Sequence, residues 1–164
     1  MLLKKYFCCL FLCWVGHLCS GQIGIDIVGT WSYSVSETDI TEAGSDFSGT
    51  YTSAANQILV DIPHSNNGNF NYDVHIQKQD IDWHTDLDLY VRRTGSGNGA
   101  GNGNGNGFVQ LGTNYQLVTS TNQFFFKGRK KRQDIPIQYE IRNVSVLMPA
   151  KSYETTIIYT VTEL

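Results

Sequence analysis

The chain has 164 residues, with 15 acidic and 12 basic side chains and a formal charge of −3, and this length suits one domain with a core of its own. A mildly acidic balance argues against nucleic acid or an anionic membrane surface as the main partner. Sixteen glycines, nine tyrosines and eight phenylalanines against two methionines lean toward an all-β fold.

Residues 1–21 have the parts of a secretory signal peptide. Lys4 and Lys5 form a basic start, residues 6–15 are apolar, and Cys19, Ser20 and Gly21 put small residues before a cleavage point at Gln22. The apolar run is too short for a spanning helix; an anchor that stays attached is the alternative. The protein is therefore expected to be secreted, periplasmic or at the cell surface. All four cysteines, Cys8, Cys9, Cys13 and Cys19, lie in this segment, so residues 22–164 have no disulfide, thiolate nucleophile or cysteine metal site. Losing Lys4 and Lys5 takes the formal charge from −3 to −5. No later stretch is long and apolar enough to cross a membrane.

Downstream, Ile23, Ile25 and Ile27, and then Trp31, Tyr33 and Val35, alternate with small or polar residues in half-buried strand patterns, with Gly29 and Thr30 as a bend. Residues 37–49 are polar and read as a loop. A strand over residues 55–62 stops at Pro63, and Asn66-Asn67-Gly68-Asn69 is a turn signal, predicting a hairpin with residues 70–78. Ile81, Trp83, Leu87, Leu89 and Val91 make the longest alternating register, read as one strand running into Arg92 and Arg93. Residues 95–107 are a Gly/Asn tract with no side chains to offset ordering entropy, expected to be a mobile loop within the one domain, residues 22–164. Strands follow at 115–119, 123–127, 135–144 and 153–162, the last two separated by a turn containing Pro149. About eight strands with regular turn signals predict an antiparallel β-sandwich.

The closing stretch has Tyr153, Ile157, Tyr159 and Val161 on one face at period two. Residues 149–161, Pro-Ala-Lys-Ser-Tyr-Glu-Thr-Thr-Ile-Ile-Tyr-Thr-Val, resemble the closing strand of secreted bacterial Ig-like domains of the spore coat U and fimbrial-subunit type, where a proline-containing turn leads to a tyrosine and an alternating strand. Ile135-Pro136-Ile137-Gln138-Tyr139 is similar to their penultimate region. The resemblance implies an Ig-like, fimbrial-like sandwich with a surface or appendage-associated role, assembling with protein partners or with itself.

Asp80, Asp82, His84, Asp86 and Asp88 recur at every second position, and in one unbroken strand they would share a face. A solvated face explains the pattern most simply. Clustered carboxylates would alternatively suit Ca²⁺ or a sugar, with Trp83 and Tyr90 beside them, or supply a carboxylate pair for glycoside hydrolysis, although EF-hand spacing and convergent acid–base partners are absent. Lys127 and the run Arg129-Lys130-Lys131-Arg132 read as a solvated hairpin tip. Their alternatives are a patch for acidic polysaccharide or lipid head groups, or a furin-type cleavage site. His64, His75 and His84 are read as surface or loop residues, and Asn143-Val144-Ser145 fits the N-glycosylation pattern. Trp31, Tyr51, Trp83, Tyr90 and Tyr115 are candidate sugar-stacking rings, with burial in the core as the alternative for Trp31 and Trp83. No nucleophile elbow, phosphate loop or nucleotide fingerprint is present, so no catalytic residue or cofactor is expected. The function expected is non-enzymatic assembly or adhesion by strand addition. The alternative is a carbohydrate-binding module using aromatic rings and the Asp80–Asp88 face, with or without Ca²⁺.

Overall fold

The computed structural model describes residues 22–36, 39, 47, 49–65, 68–99 and 107–164. The signal segment with its cysteines, most of the loop at 37–49, the Asn66-Asn67 turn and residues 100–106 of the Gly/Asn tract lie outside the described residues.

Eleven strands are described: β1 (Asp26–Val28), β2 (Thr50–Thr52), β3 (Ile58–Ile62), β4 (Asn71–Asp82), β5 (Asp88–Arg93), β6 (Asn98–Gly99), β7 (Phe108–Gln110), β8 (Gln116–Leu117), β9 (Gln123–Arg129), β10 (Arg132–Arg142) and β11 (Glu154–Glu163). They form two antiparallel sheets. The first runs β1-β3-β10-β5-β8, with β2 and β6 also paired to β10, and the second runs β11-β4-β9-β7. The protein is therefore an all-β sandwich, with three more strands than the eight expected because short pairings such as β2, β6 and β7 carry too few residues to show a period.

The core lies between the sheets, and alternation builds most of it, with the adjacent Phe125 and Phe126 both entering at the register shift between β4 and β9. Ile58, Val60 and Ile62 of β3, Leu89 and Val91 of β5, and Ile135, Ile137 and Tyr139 of β10 face Tyr72, Val74 and Ile76 of β4 and Phe125 and Phe126 of β9. Ile157, Tyr159 and Val161 of β11 close the layer from the far side. The Tyr139 and Tyr159 hydroxyls, 2.6 Å apart, hydrogen-bond across the two layers. Arg93 occupies the next inward position after Leu89 and Val91 and is buried. Its guanidinium donates to the carbonyls of Gly95 and Leu111 and so ties the chain after β5 to the chain after β7.

Three expectations are corrected. The segments 55–62 and 70–78 do not pair as a hairpin: β3 joins β1 and β10 in one sheet, while β4 joins β11 and β9 in the other. The connection crosses between the layers, where His64 stacks on Phe70 at 4.1 Å. The register from Ile81 to Val91 is likewise not one strand, because β4 ends at Asp82 in the second sheet and β5 begins at Asp88 in the first. The intervening chain folds on itself: Trp83 Nε1 donates to the Leu87 carbonyl, Leu87 N to the His84 carbonyl, and Asp86 N to His84 Nδ1. Local side-chain bonds of this kind compete with a ladder. Finally, part of the Gly/Asn tract is sheet, since Asn98 and Gly99 pair with Gln133 and Arg132 of β10.

Candidate assembly edge and ligand cleft

Strand β11 is the long edge of the sandwich. It is ten residues in length and, among the described residues, pairs with β4 alone, in register from Glu163↔Tyr72 to Glu154↔Asp82. The other sheet edges are short: three residues in β7, three in β1 and two in β8. On an antiparallel edge, alternate residues direct N–H and C=O away from the sheet. Natural edges are usually blunted by lysine, proline, bulges or brevity. Between Thr155 and Thr162 β11 has no charged residue and no proline, and the one register shift in its pairing, at the Glu154/Thr155 end, puts the extra residue, Ile81, in β4.

Of the side chains expected at this edge, Ile157, Tyr159 and Val161 point into the sandwich and pack on the core. Tyr153 precedes the strand and donates to the Pro149 carbonyl. These residues therefore fix the strand in place, and what the edge offers a partner is backbone together with the outward row Thr156, Ile158, Thr160 and Thr162.

The aspartates do not share a face, which corrects the one-strand reading. Asp80 continues the inward row of β4 past the core, where Lys78 Nζ bonds both its oxygens and Thr155 Oγ1 donates to it at 2.8 Å. Burial pushes the Asp80 carboxyl up, but the bonds from Lys78 and Thr155 outweigh it and hold the group below its ordinary range. Asp82 pairs with Lys151, and Asp86 sits in the turn beside Thr85 and His84. Asp88 accepts from Asn143 Nδ2 at 3.0 Å. Each carboxylate has a separate partner, and among the described residues no three His, Cys, Asp or Glu side chains gather where an ion would need them.

Asp80, Trp83 and Asp88 do meet around an open cleft of about 330 Å³ at the end of the sandwich, with Lys78, Leu117 and Val118. The Lys78 ammonium lies 5.6 Å from the Trp83 ring centre. Tyr90 is not part of it. It stands on the outer face of the first sheet under the Arg142 guanidinium, 3.8 Å from its ring centre. Arg92 covers Tyr115 in the same way at 4.6 Å. Beneath these rings Gln138 and Glu140 are buried on what should be a solvated face, with Gln138 accepting from Arg92 and Tyr115 and Glu140 from Arg142 and Thr52. Sequence reading missed this layer because the residues come from three strands, β2, β5 and β10, and a loop. The alternation of Arg92 and Tyr90 in β5 was its only local signal.

Other expected positions are settled by packing. Tyr51 is buried, which corrects its reading as an exposed ring, and Trp31 is half-buried and stacks on Tyr139. His64 lies in the connection between β3 and β4, as a loop residue, but is buried there and not on the surface, with its Nε2 3.3 Å from Glu163. His75 lies edge-on to Phe124 and His84 edge-on to Tyr153. The basic run is a corner and not a hairpin tip: β9 and β10 belong to different sheets, and Lys130, at φ 62°, carries the chain across. Asn143 is exposed at the end of β10. Among the described residues no helix is long and apolar enough to cross a membrane. No family model matches the chain, and neither the curated proteins nor the solved structures contain a match.

Proposed function

We propose that this is an exported, non-enzymatic structural or adhesive protein of the cell surface that assembles with other protein chains by strand addition. The observation that carries the reading is the β11 edge, ten residues long and free of charge and proline from Thr155 to Thr162. Such an edge is a template for another strand, and proteins that do not use one usually blunt it. The export reading rests on residues 1–21, and the fimbrial-like resemblance of residues 149–161 points the same way.

Light scattering of the full chain across a wide concentration range tests this. Wild type is expected to gain mass with concentration, and the double variant Thr156→Lys/Thr160→Lys, which puts lysines along the outward row, is expected to stay at monomer mass. Equal behaviour of the two proteins would sink the edge as the means of assembly.

The cleft favours carbohydrate binding as a second reading, because the Trp83 ring flanks polar groups at Lys78, Asp80 and Asp88. A glycan array should then show a signal that Trp83→Ala lowers at least tenfold, as loss of a stacking ring requires. Silence on every glycan, or a signal untouched by the substitution, removes this reading.

A further inference from the structure

We infer that the partner at the β11 edge is a second copy of this chain, its β11 laid antiparallel across a twofold axis at Ile158. The inference rests on the edge reading above and adds partner, symmetry and register.

The argument starts from the faces of the strand. Ile157, Tyr159 and Val161 point to the core, so Thr156, Ile158, Thr160 and Thr162 point outward. A one-residue slip would turn core-facing side chains against solvent-facing ones, so two copies can pair only in registers that keep inner row beside inner row. Two such registers use nearly the whole strand, one centred on Ile158 and one on Tyr159. In the first, Ile158 lies opposite its own copy, Thr156 opposite Thr160, and Glu154 opposite Thr162. On the inner row, Ile157 then meets Tyr159, a β-branched residue beside an aromatic. In the second, Ile158, the only large apolar side chain on the outward row, is left opposite threonine.

Charge agrees with self-pairing. The carboxylates of β11 are Glu154 and Glu163 at its two ends, and the Ile158 register sets neither against its copy or against the other. Like charges directly opposite would destabilise the pair. The four-stranded sheet of each copy would run on into its partner, and the shared edge would be used up. A twofold contact of this kind is isologous and closes at the dimer. The opposite edge, β7, has three residues and offers little to extend it.

The test is a charge swap at the axis on the full chain. By sedimentation and light scattering, wild type is expected at twice the monomer mass. Ile158→Lys and Ile158→Glu should each be monomeric at that concentration, and an equimolar mixture of the two should recover the dimer, because each axis then pairs opposite charges. Association lost in Thr156→Lys/Thr160→Lys but kept in both Ile158 variants overturns this register and leaves the edge reading standing. A mixture that stays monomeric also overturns the register, and a wild type that never exceeds monomer mass overturns both. If a charged variant fails to fold, Ile158→Cys in a chain with Cys8, Cys9, Cys13 and Cys19 changed to Ser is the substitute. It should oxidise to a covalent dimer, and a product that remains monomer would be decisive against the axis.

Discussion

Raising the pH above 10 is expected to destabilise this protein and then unfold it in one step, with its buried tyrosines ionising together with the loss of structure. Burial pushes the Tyr139 hydroxyl up to about 12 from an ordinary 10.0. Burial also raises Tyr72, and it raises Tyr159, whose partner Tyr139 adds to the effect. The unfolded chain gives up these protons near 10 while the folded chain keeps them, so across that window the unfolded state binds fewer protons. Stability is therefore complete below pH 10 and falls as pH climbs toward and through about 12. Tyr72 and Tyr139 are almost fully enclosed, and each removes about 1.4 kcal/mol per pH unit. Against a net stability of roughly 5–15 kcal/mol, such a slope exhausts the fold within a few units. Tyrosinate absorbance at 295 nm should rise for the buried rings together with loss of the far-ultraviolet β signal. Ionisation of every tyrosine near pH 10 with that signal intact would contradict the enclosed Tyr139–Tyr159 pair.

Gly128→Ala should cost about 3 kcal/mol, at the upper end of what overpacking a core usually does. Gly128 is in β9, opposite Tyr72 of β4 on one side and Val109 of β7 on the other. The Tyr72 ring lies across it. A Cβ there would sit 2.3 Å from the Tyr72 hydroxyl and 2.4 Å from the ring carbon that bears it. Tyr72 is fully buried and cannot swing aside, so strand or ring must shift in a close-packed core. The same hydroxyl has no hydrogen-bond partner among the described residues. Tyr72→Phe should therefore leave stability unchanged or raise it, and it should recover part of the loss when combined with Gly128→Ala. Urea unfolding of the two single variants and the double variant measures the coupling. A Gly128→Ala protein as stable as wild type would mean that the ring does not lie over this strand.

Much of the sandwich was legible because alternation is local. The inward rows Ile58-Val60-Ile62, Leu89-Val91 and Ile157-Tyr159-Val161 can be read from spacing alone, and all three are core or packed against it. Arg93 could have been found in the same way, since it continues the row of Leu89 and Val91. The candidate site was less legible. Five acidic and histidine positions at period two look like one face, but a turn after Asp82 sends Asp80 and Asp88 to different sheets while leaving them on one cleft. The Tyr90–Arg142 and Tyr115–Arg92 stacks are pairings of residues far apart in the chain, which no spacing encodes.

By itself, then, the sequence determined the all-β class, the faces of the strands, and a closing strand without the usual edge protection. Tertiary structure alone decided which strands pair. A period of two is the same whichever sheet takes the strand, so β3 and β4 fit a hairpin as well as the crossing between layers that they make. The same is true of β11. Its composition is that of any half-buried strand, and only the pairing order puts β4 on one side of it and no described strand on the other.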